Sequence, residues 1–301
     1  MGPKPGQKTC LITGCTPGGI GHALALEFNR QGVHVIATAR NTAVLAELEP
    51  LGMSIVALDV TKAESIKTCH EEVAKINGGK LDFLVNNAGR THTHPATDID
   101  MDDVRETFET NVFGVMAMCQ AFVDQLIAAK GLIINIASLA AVTPYAFGSV
   151  YSATKAAVVG YSRTMRLELK PFGVRVMVAM TGTVRSQIAS KTHRTLPPNS
   201  IYQRVKDVFE KRLVFSQNNG TVDTGTYARQ LVSSALKYES PSILRAWFGR
   251  PDWFWAGGWA SLVWTGTWFG EWLLDFALYR KIGLNRIDQV LREEARKKKL
   301  T

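Results

Sequence analysis

Short apolar runs alternate with longer stretches of helical spacing along most of the chain. Runs at 9–13, 33–39, 54–60, 81–85, 131–137 and 174–180 are nearly free of charge and bounded by Gly or polar residues, so they predict buried strands. Between them, 3.6-residue periodicity predicts helices over 22–30, 62–77, 101–129 and 148–172, then a further helix over 221–238 with a Thr or Asp cap. Residues 242–248 read as a final strand. Strands that alternate with helices predict an α/β fold, a doubly wound parallel sheet covered on both faces. Two regions break the rhythm. Residues 183–220 are irregular, polar and basic, which predicts a substrate lid after the last core strand. Residues 253–270 hold no charge and place Trp at 253, 255, 259, 264 and 268. That density suits a membrane interface more than a full span, with Arg280 and Lys281 near headgroups; an apolar cap over the substrate pocket or a dimer face are the alternatives. The expected organisation is a domain over 1–250, with 183–220 as its insert, and an apolar and basic extension over 251–301.

Composition adds two bounds. With 46% hydrophobic and 20% charged residues in 301, the chain is globular and long enough for a large core. Cys10, Cys15, Cys69 and Cys119 have neither metal-ligand nor disulfide spacing, so a reducing compartment and no metal are expected. Residues 1–8 carry no apolar run, and a cleaved signal peptide is not expected. The charge of +9 is uneven: 1–182 hold 16 basic and 16 acidic residues, 183–301 hold 19 and 10. A basic C-terminal third suggests an anionic substrate or an anionic membrane surface; nucleic acid ranks last because no motif for it is present.

The chemistry gathers at strand ends. Gly14, Thr16, Gly19, Ile20 and Gly21 form a glycine-rich turn between the first strand and the first helix, the context a dinucleotide pyrophosphate needs. Arg40 ends the second strand where an acid would bond the ribose of NAD, so the turn predicts NADP(H). Asp59, with Val60, ends the third strand within reach of an adenine, and Asn86-Asn87-Ala88-Gly89 ends the fourth. Asn111 is an amide in an apolar helix and needs a partner. Ser138 ends the fifth strand. Tyr151 and Lys155, four apart, share a helix face, and the ammonium is expected to pull the phenol pKa toward neutrality. Together they suit reduction of a ketone: Tyr151 gives the proton, Lys155 tunes it, Ser138 orients the carbonyl oxygen and Asn111 holds a water that returns protons.

Thr13-Gly14, Gly19-Ile20-Gly21, Asp59-Val60, Asn86 to Gly89, Asn111, Ser138, Tyr151, Lys155 and Gly182-Thr183-Val184 resemble the Tyr-x-x-x-Lys branch of the short-chain dehydrogenase/reductase family. The resemblance implies a Rossmann-type sheet of about seven strands, a catalytic tetrad of Asn111, Ser138, Tyr151 and Lys155, and a backbone contact from Val184 to the nicotinamide amide. It also implies that Lys155 holds the nicotinamide ribose and that the protein is a homo-oligomer. Two positions depart from the family: one extra residue lies in the glycine turn, and Thr181-Gly182 replaces Pro-Gly after the sixth strand. The longer turn, Arg40 and the Trp-rich C-terminus resemble fungal NADPH-dependent 1-acyldihydroxyacetone-phosphate reductases. That group implies a lipid ketone substrate and an intracellular site at the endoplasmic reticulum or lipid-droplet surface through 253–279, or the cytosol otherwise. Its phosphate would suit Arg185, Lys191, Arg194 and Arg204 of the insert. Fungal ketoreductases of specialised metabolism share the motif set, with polyketide or terpenoid ketones as substrates.

Overall fold

The computed structural model describes residues 2–186, 194–241, 244 and 248–298. Its seven strands are β1 (Thr9–Ile12), β2 (His34–Ala39), β3 (Ser54–Ala57), β4 (Phe83–Asn86), β5 (Leu132–Ile136), β6 (Arg175–Thr181) and β7 (Trp253–Ala256). They form one parallel sheet in the order β3-β2-β1-β4-β5-β6-β7. β1, β2, β4, β5 and β6 are buried along their whole length, as strands covered on both faces must be.

The covering helices are α1 (Ile20–Arg30), α2 (Ala63–Asn77), α3 (Met101–Phe108), α4 (Gly114–Ala129) and α5 (Ser149–Leu169). After the sixth strand come α6 (Lys206–Leu213), α7 (Phe215–Asn218), α8 (Thr224–Leu236), α9 (Ala260–Gly266), α10 (Glu271–Ile282) and α11 (Asn285–Lys298). On one face, Leu24 and Phe28 of α1 and Tyr227 and Leu231 of α8 pack with Ile12, Val35 and Met177. On the other, Ile66 of α2, Met118 and Phe122 of α4 and Val158 of α5 pack with Leu11, Leu84 and Ile133. Strand order reverses between β1 and β4, which opens a crevice at the carboxyl edge, where such sheets bind ligands.

Four elements differ from the sequence pattern. The helix expected over 101–129 is interrupted by a π-helical turn at Glu109–Phe113. Gly114 follows because a Cβ there would lie 2.9 Å from Val60 Cγ2. Met101–Ala129 is apolar and long enough to cross a membrane, but its buried residues are committed to the sheet face. The stretch 183–220 is not irregular throughout: α6 and α7 lie within it, and α6 buries Val208, Phe209 and Arg212 at i, i+1, i+4. Lys191 and His193 of that insert lie outside the described residues, as does most of the strand expected over 242–248.

The seventh strand of the sheet is Trp253–Ala256, beyond the expected domain limit of 250. It pairs with β6 from Val178↔Trp253 to Thr181↔Ala256. Phe254 and Ala256 are buried while Trp253 and Trp255 are half-buried, the period-two pattern of an edge strand. The start of the tryptophan run is therefore sheet.

Candidate active site

Backbone geometry builds the crevice first. Gly14 turns the chain out of β1 with φ +73°, a conformation side chains resist. Gly21 is needed for close approach: a Cβ there would lie 2.4 Å from Asn87 Nδ2 and 2.5 Å from Gly14 O. The extra residue is absorbed below the turn, where Cys15 is buried and donates its amide to Thr38 O at 2.8 Å. Helix α1 then starts at Gly19 and Ile20 with no side-chain cap, so its first amides are free to meet an anion. Thr16 and Arg40 line the same crevice, and Arg40 is exposed at the end of β2. Asp59 and Val60 follow β3 on this wall, with Asp59 Oδ1 accepting from Thr61 N at 3.0 Å and Thr61 Oγ1 at 2.8 Å. These residues fit a dinucleotide carrying a 2′-phosphate: a glycine-rich turn, a helix start without a side-chain cap and an exposed guanidinium.

The opposite wall depends on Thr13, whose role as a brace has no separate signature in the sequence. Its hydroxyl accepts from Asn87 N and Ala88 N, both at 2.9 Å. Asn87 returns its side-chain amide to Thr13 O at 2.8 Å and Gly14 O at 3.0 Å. Ala88 and Gly89 are thereby fixed along the crevice. Asn86 points inward and joins a buried chain, Asn86 Nδ2 to Asn135 Oδ1 and Asn135 Nδ2 to Ser162 Oγ, each 2.8 Å. Beyond β6, Thr181 Oγ1 bonds the buried Tyr227 hydroxyl at 2.6 Å. Gly182 is obligatory because a Cβ would lie 2.0 Å from Gly258 O. Val184, buried and on the cavity wall, closes this end.

Ser138, Tyr151 and Lys155 meet at the centre of a cavity of about 1290 Å³. Ser138 stands at the end of β5 and caps the turn Leu139–Ala141; Tyr151 and Lys155 project from the first turns of α5. Lys155 Nζ donates to Ile136 O at 2.8 Å and lies 5.7 Å from the Tyr151 ring centroid. Asn111 comes to the same place through the π turn. Its Oδ1 accepts from Arg90 N at 2.8 Å, and its Nδ2 donates to Arg90 O at 3.0 Å and Thr154 Oγ1 at 3.1 Å. The Asn111 side chain thus braces the loop after β4 against α5, and a π turn at such a point is the geometry that places it.

Electrostatics correct one expectation. Burial pushes Tyr151 up to about 12, nearby Tyr145 adds to the rise, and the Ser138 hydrogen bond opposes it. Lys155 does not pull the phenol down, because burial lowers its own pKa to about 8 and its ammonium is turned to Ile136 O. Burial thus favours the protonated phenol of Tyr151, the form that a donor to a carbonyl oxygen requires.

Of the cations proposed from sequence for a phosphate, the three that are described are ion-paired or lie off the cavity wall. Arg194 binds Asp103 and His94, Arg204 binds Glu294 at 2.8 Å, and exposed Arg185 is not on the cavity wall. His92, His94 and Asp103 gather as a possible metal-donor group, but Arg90 and Arg194 hold the Asp103 carboxylate. The outer wall is formed by α9 and α10, through Val263, Leu274, Ala277 and Leu278. The C-terminal segment therefore roofs the cavity, one of the alternatives its sequence allowed.

A sheet edge shaped for a dinucleotide, with a Tyr/Lys/Ser centre opening on it, defines a nicotinamide-dependent oxidoreductase. The model of the short chain dehydrogenases matches residues 8–197. Short-chain dehydrogenase srdE of Neurospora crassa is 40% identical over 257 residues, 85% of this chain and 85% of that protein. NADPH-dependent 1-acyldihydroxyacetone phosphate reductase of Schizosaccharomyces pombe is 46% identical over 201 residues, 65% of this chain and 68% of that protein. The crystal structure of a short-chain dehydrogenase from Streptomyces avermitilis superimposes with a TM-score of 0.75 at 26% identity, covering 94% of this chain and 99% of that one. The chain belongs to the short-chain dehydrogenase family and is an oxidoreductase acting on CH–OH and C=O groups.

When bound, the cofactor supplies or accepts the hydride. The chain's own residues do the rest. Gly14, Gly19 and Gly21 would admit the backbone-close phosphates, and Tyr151, with Ser138 bonded to its phenol, stands where it would hold a proton for a carbonyl oxygen. Lys155 and Asn111 fix the floor of the site.

Proposed function

We propose that the protein is an NADPH-dependent ketoreductase acting on a lipid-like ketone, with 1-acyldihydroxyacetone phosphate as the best-fitting substrate. The cofactor is NADP(H), in keeping with Arg40 at the end of β2. The observation that carries the substrate reading is the continuity of the cavity from Tyr151 to the apolar undersides of α9 and α10, with Lys281 on the same wall. An acyl chain suits that roof. The similarity to the Schizosaccharomyces pombe reductase supports the same reading. A second reading is a polyketide or terpenoid ketone of specialised metabolism, favoured by the apolar roof alone.

The outer faces of the roof support work at a lipid surface. Trp268, Phe269, Trp272 and Phe276 are more than half exposed, while Arg280 lies in the last turn of α10. Aromatic side chains beside cations suit an anionic lipid interface, such as an endoplasmic-reticulum or lipid-droplet surface. Pairing of two copies through α4 and α5 belongs to the same proposal, with Phe113 and Leu167 exposed there.

The test is NADPH consumption with 1-acyldihydroxyacetone phosphate beside its unphosphorylated counterpart. A higher kcat/KM for the phosphate supports the glycerolipid substrate. Equal or reversed preference transfers the reading to a neutral ketone.

A further inference from the structure

Three arginines are buried among the described residues: Arg175, Arg212 and Arg250. Two of them are paired as buried charges must be. Arg175 reaches Glu239 at 2.6 Å and Asp252 at 2.7 Å, and Arg250 reaches Glu239 at 2.7 Å. Arg212, at the end of α6, is only 2% exposed and has no carboxylate partner among the described residues. Its Nε and Nη2 are buried without a hydrogen-bond partner. The guanidinium lies 3.5 Å over the ring of Tyr145, and that ring lies 6.1 Å from the ring of Tyr151. Arg212 is also part of the wall of the cavity that holds Tyr151.

A desolvated guanidinium with unused donors is strongly unfavourable unless an anion completes it. The ring face of Tyr145 stabilises the charge and fixes the plane, but among the described residues it leaves the in-plane Nε and Nη2 donors without a partner. We propose that Arg212 is the residue that reads an anionic oxygen group, a phosphate or a carboxylate, on the ketone substrate. The planar fork suits two such oxygens, and Tyr145 sets the distance between this anchor and the carbonyl presented to Tyr151. The role is specificity and positioning, separate from the proton transfer. It rests on the ketoreductase reading and deepens it by naming the cation that selects the substrate.

The experiment measures calorimetric Kd values on the full chain loaded with NADP⁺, so that no turnover occurs. Two ligand pairs are used: 1-acyldihydroxyacetone phosphate with its unphosphorylated form, and 3-oxododecanoate with its methyl ester. Wild type is expected to prefer the anionic member of at least one pair, and the favoured pair distinguishes phosphate from carboxylate. Arg212→Gln is expected to reduce that preference roughly 10- to 100-fold, and Arg212→Lys to reduce it less. An unchanged ratio in Arg212→Gln, or no preference and no binding in wild type, overturns the assignment. Arg212→Lys keeps a buried cation, so it supplies the reading if the Gln variant does not fold. NADPH consumption on the same ketones is scored separately. Its failure with an intact shift in the Kd ratio removes the reductase reading and leaves the anion site.

Discussion

Lys155 offers a perturbation whose magnitude follows from its surroundings. The side chain is 6% exposed, donates to Ile136 O, and has its pKa lowered by burial from 10.5 to about 8. Between those values the unfolded chain carries a proton that the folded chain does not, so stability rises with pH across that window. Below pH 8 both states are protonated and the burden of the buried ammonium is constant. That lowering corresponds to about 3 kcal/mol, of which about 2.5 kcal/mol is regained between pH 7 and 10. Other groups act in the opposite sense: burial raises the Cys15, Cys69 and Cys119 thiols to about 12, which lowers stability as pH climbs past 9. The difference between wild type and Lys155→Met removes that common background. Urea denaturation of the two ligand-free proteins at pH 7 and pH 10 is the assay. Wild type should gain about 2.5 kcal/mol on the variant over that interval. Parallel pH curves would refute the claim that burial governs Lys155.

Arg40→Asp is expected to shift the kcat/KM ratio from NADPH toward NADH, roughly 10-fold or more; an unchanged ratio means another group meets the 2′-phosphate. Thr13→Val leaves Asn87 N and Ala88 N without their shared acceptor and should lower stability by about 2 kcal/mol and raise KM for NADPH, read by denaturation and steady-state kinetics. Replacing Trp268 and Trp272 together by Ser should release the protein from vesicles of anionic phospholipid in a flotation assay while its thermal transition stays in place; undiminished flotation rules out these tryptophans, at the start of α10 and just before it, as the contact.

The parts of the molecule visible in the sequence are those where local pattern and global packing agree. Buried runs between amphipathic helices marked the first six strands along the chain, and glycines at strand ends marked the crevice because only a missing Cβ fits there. Tyr151, Lys155 and Ser138 came together because a four-residue helical spacing and a strand end are both short-range facts. What was hidden depends on distant neighbours. Trp253–Ala256 reads as interfacial until β6 is beside it, and the buried face of α6 is masked by its many charges. Arg212 is one arginine among many in a basic region, and only burial without a carboxylate sets it apart. The direction of the Tyr151 shift was also out of reach, since spacing shows that Lys155 is near but not that its ammonium is turned to Ile136 O.

The central claim is that Tyr151 is the proton donor of an NADPH-dependent carbonyl reduction. Its most direct test is single-turnover NADPH oxidation with a reducible ketone, wild type against Tyr151→Phe, with NADPH affinity measured alongside. The account predicts a loss in rate of roughly 100-fold or more with cofactor affinity within a few-fold of wild type. Equal rates in the two proteins would contradict it.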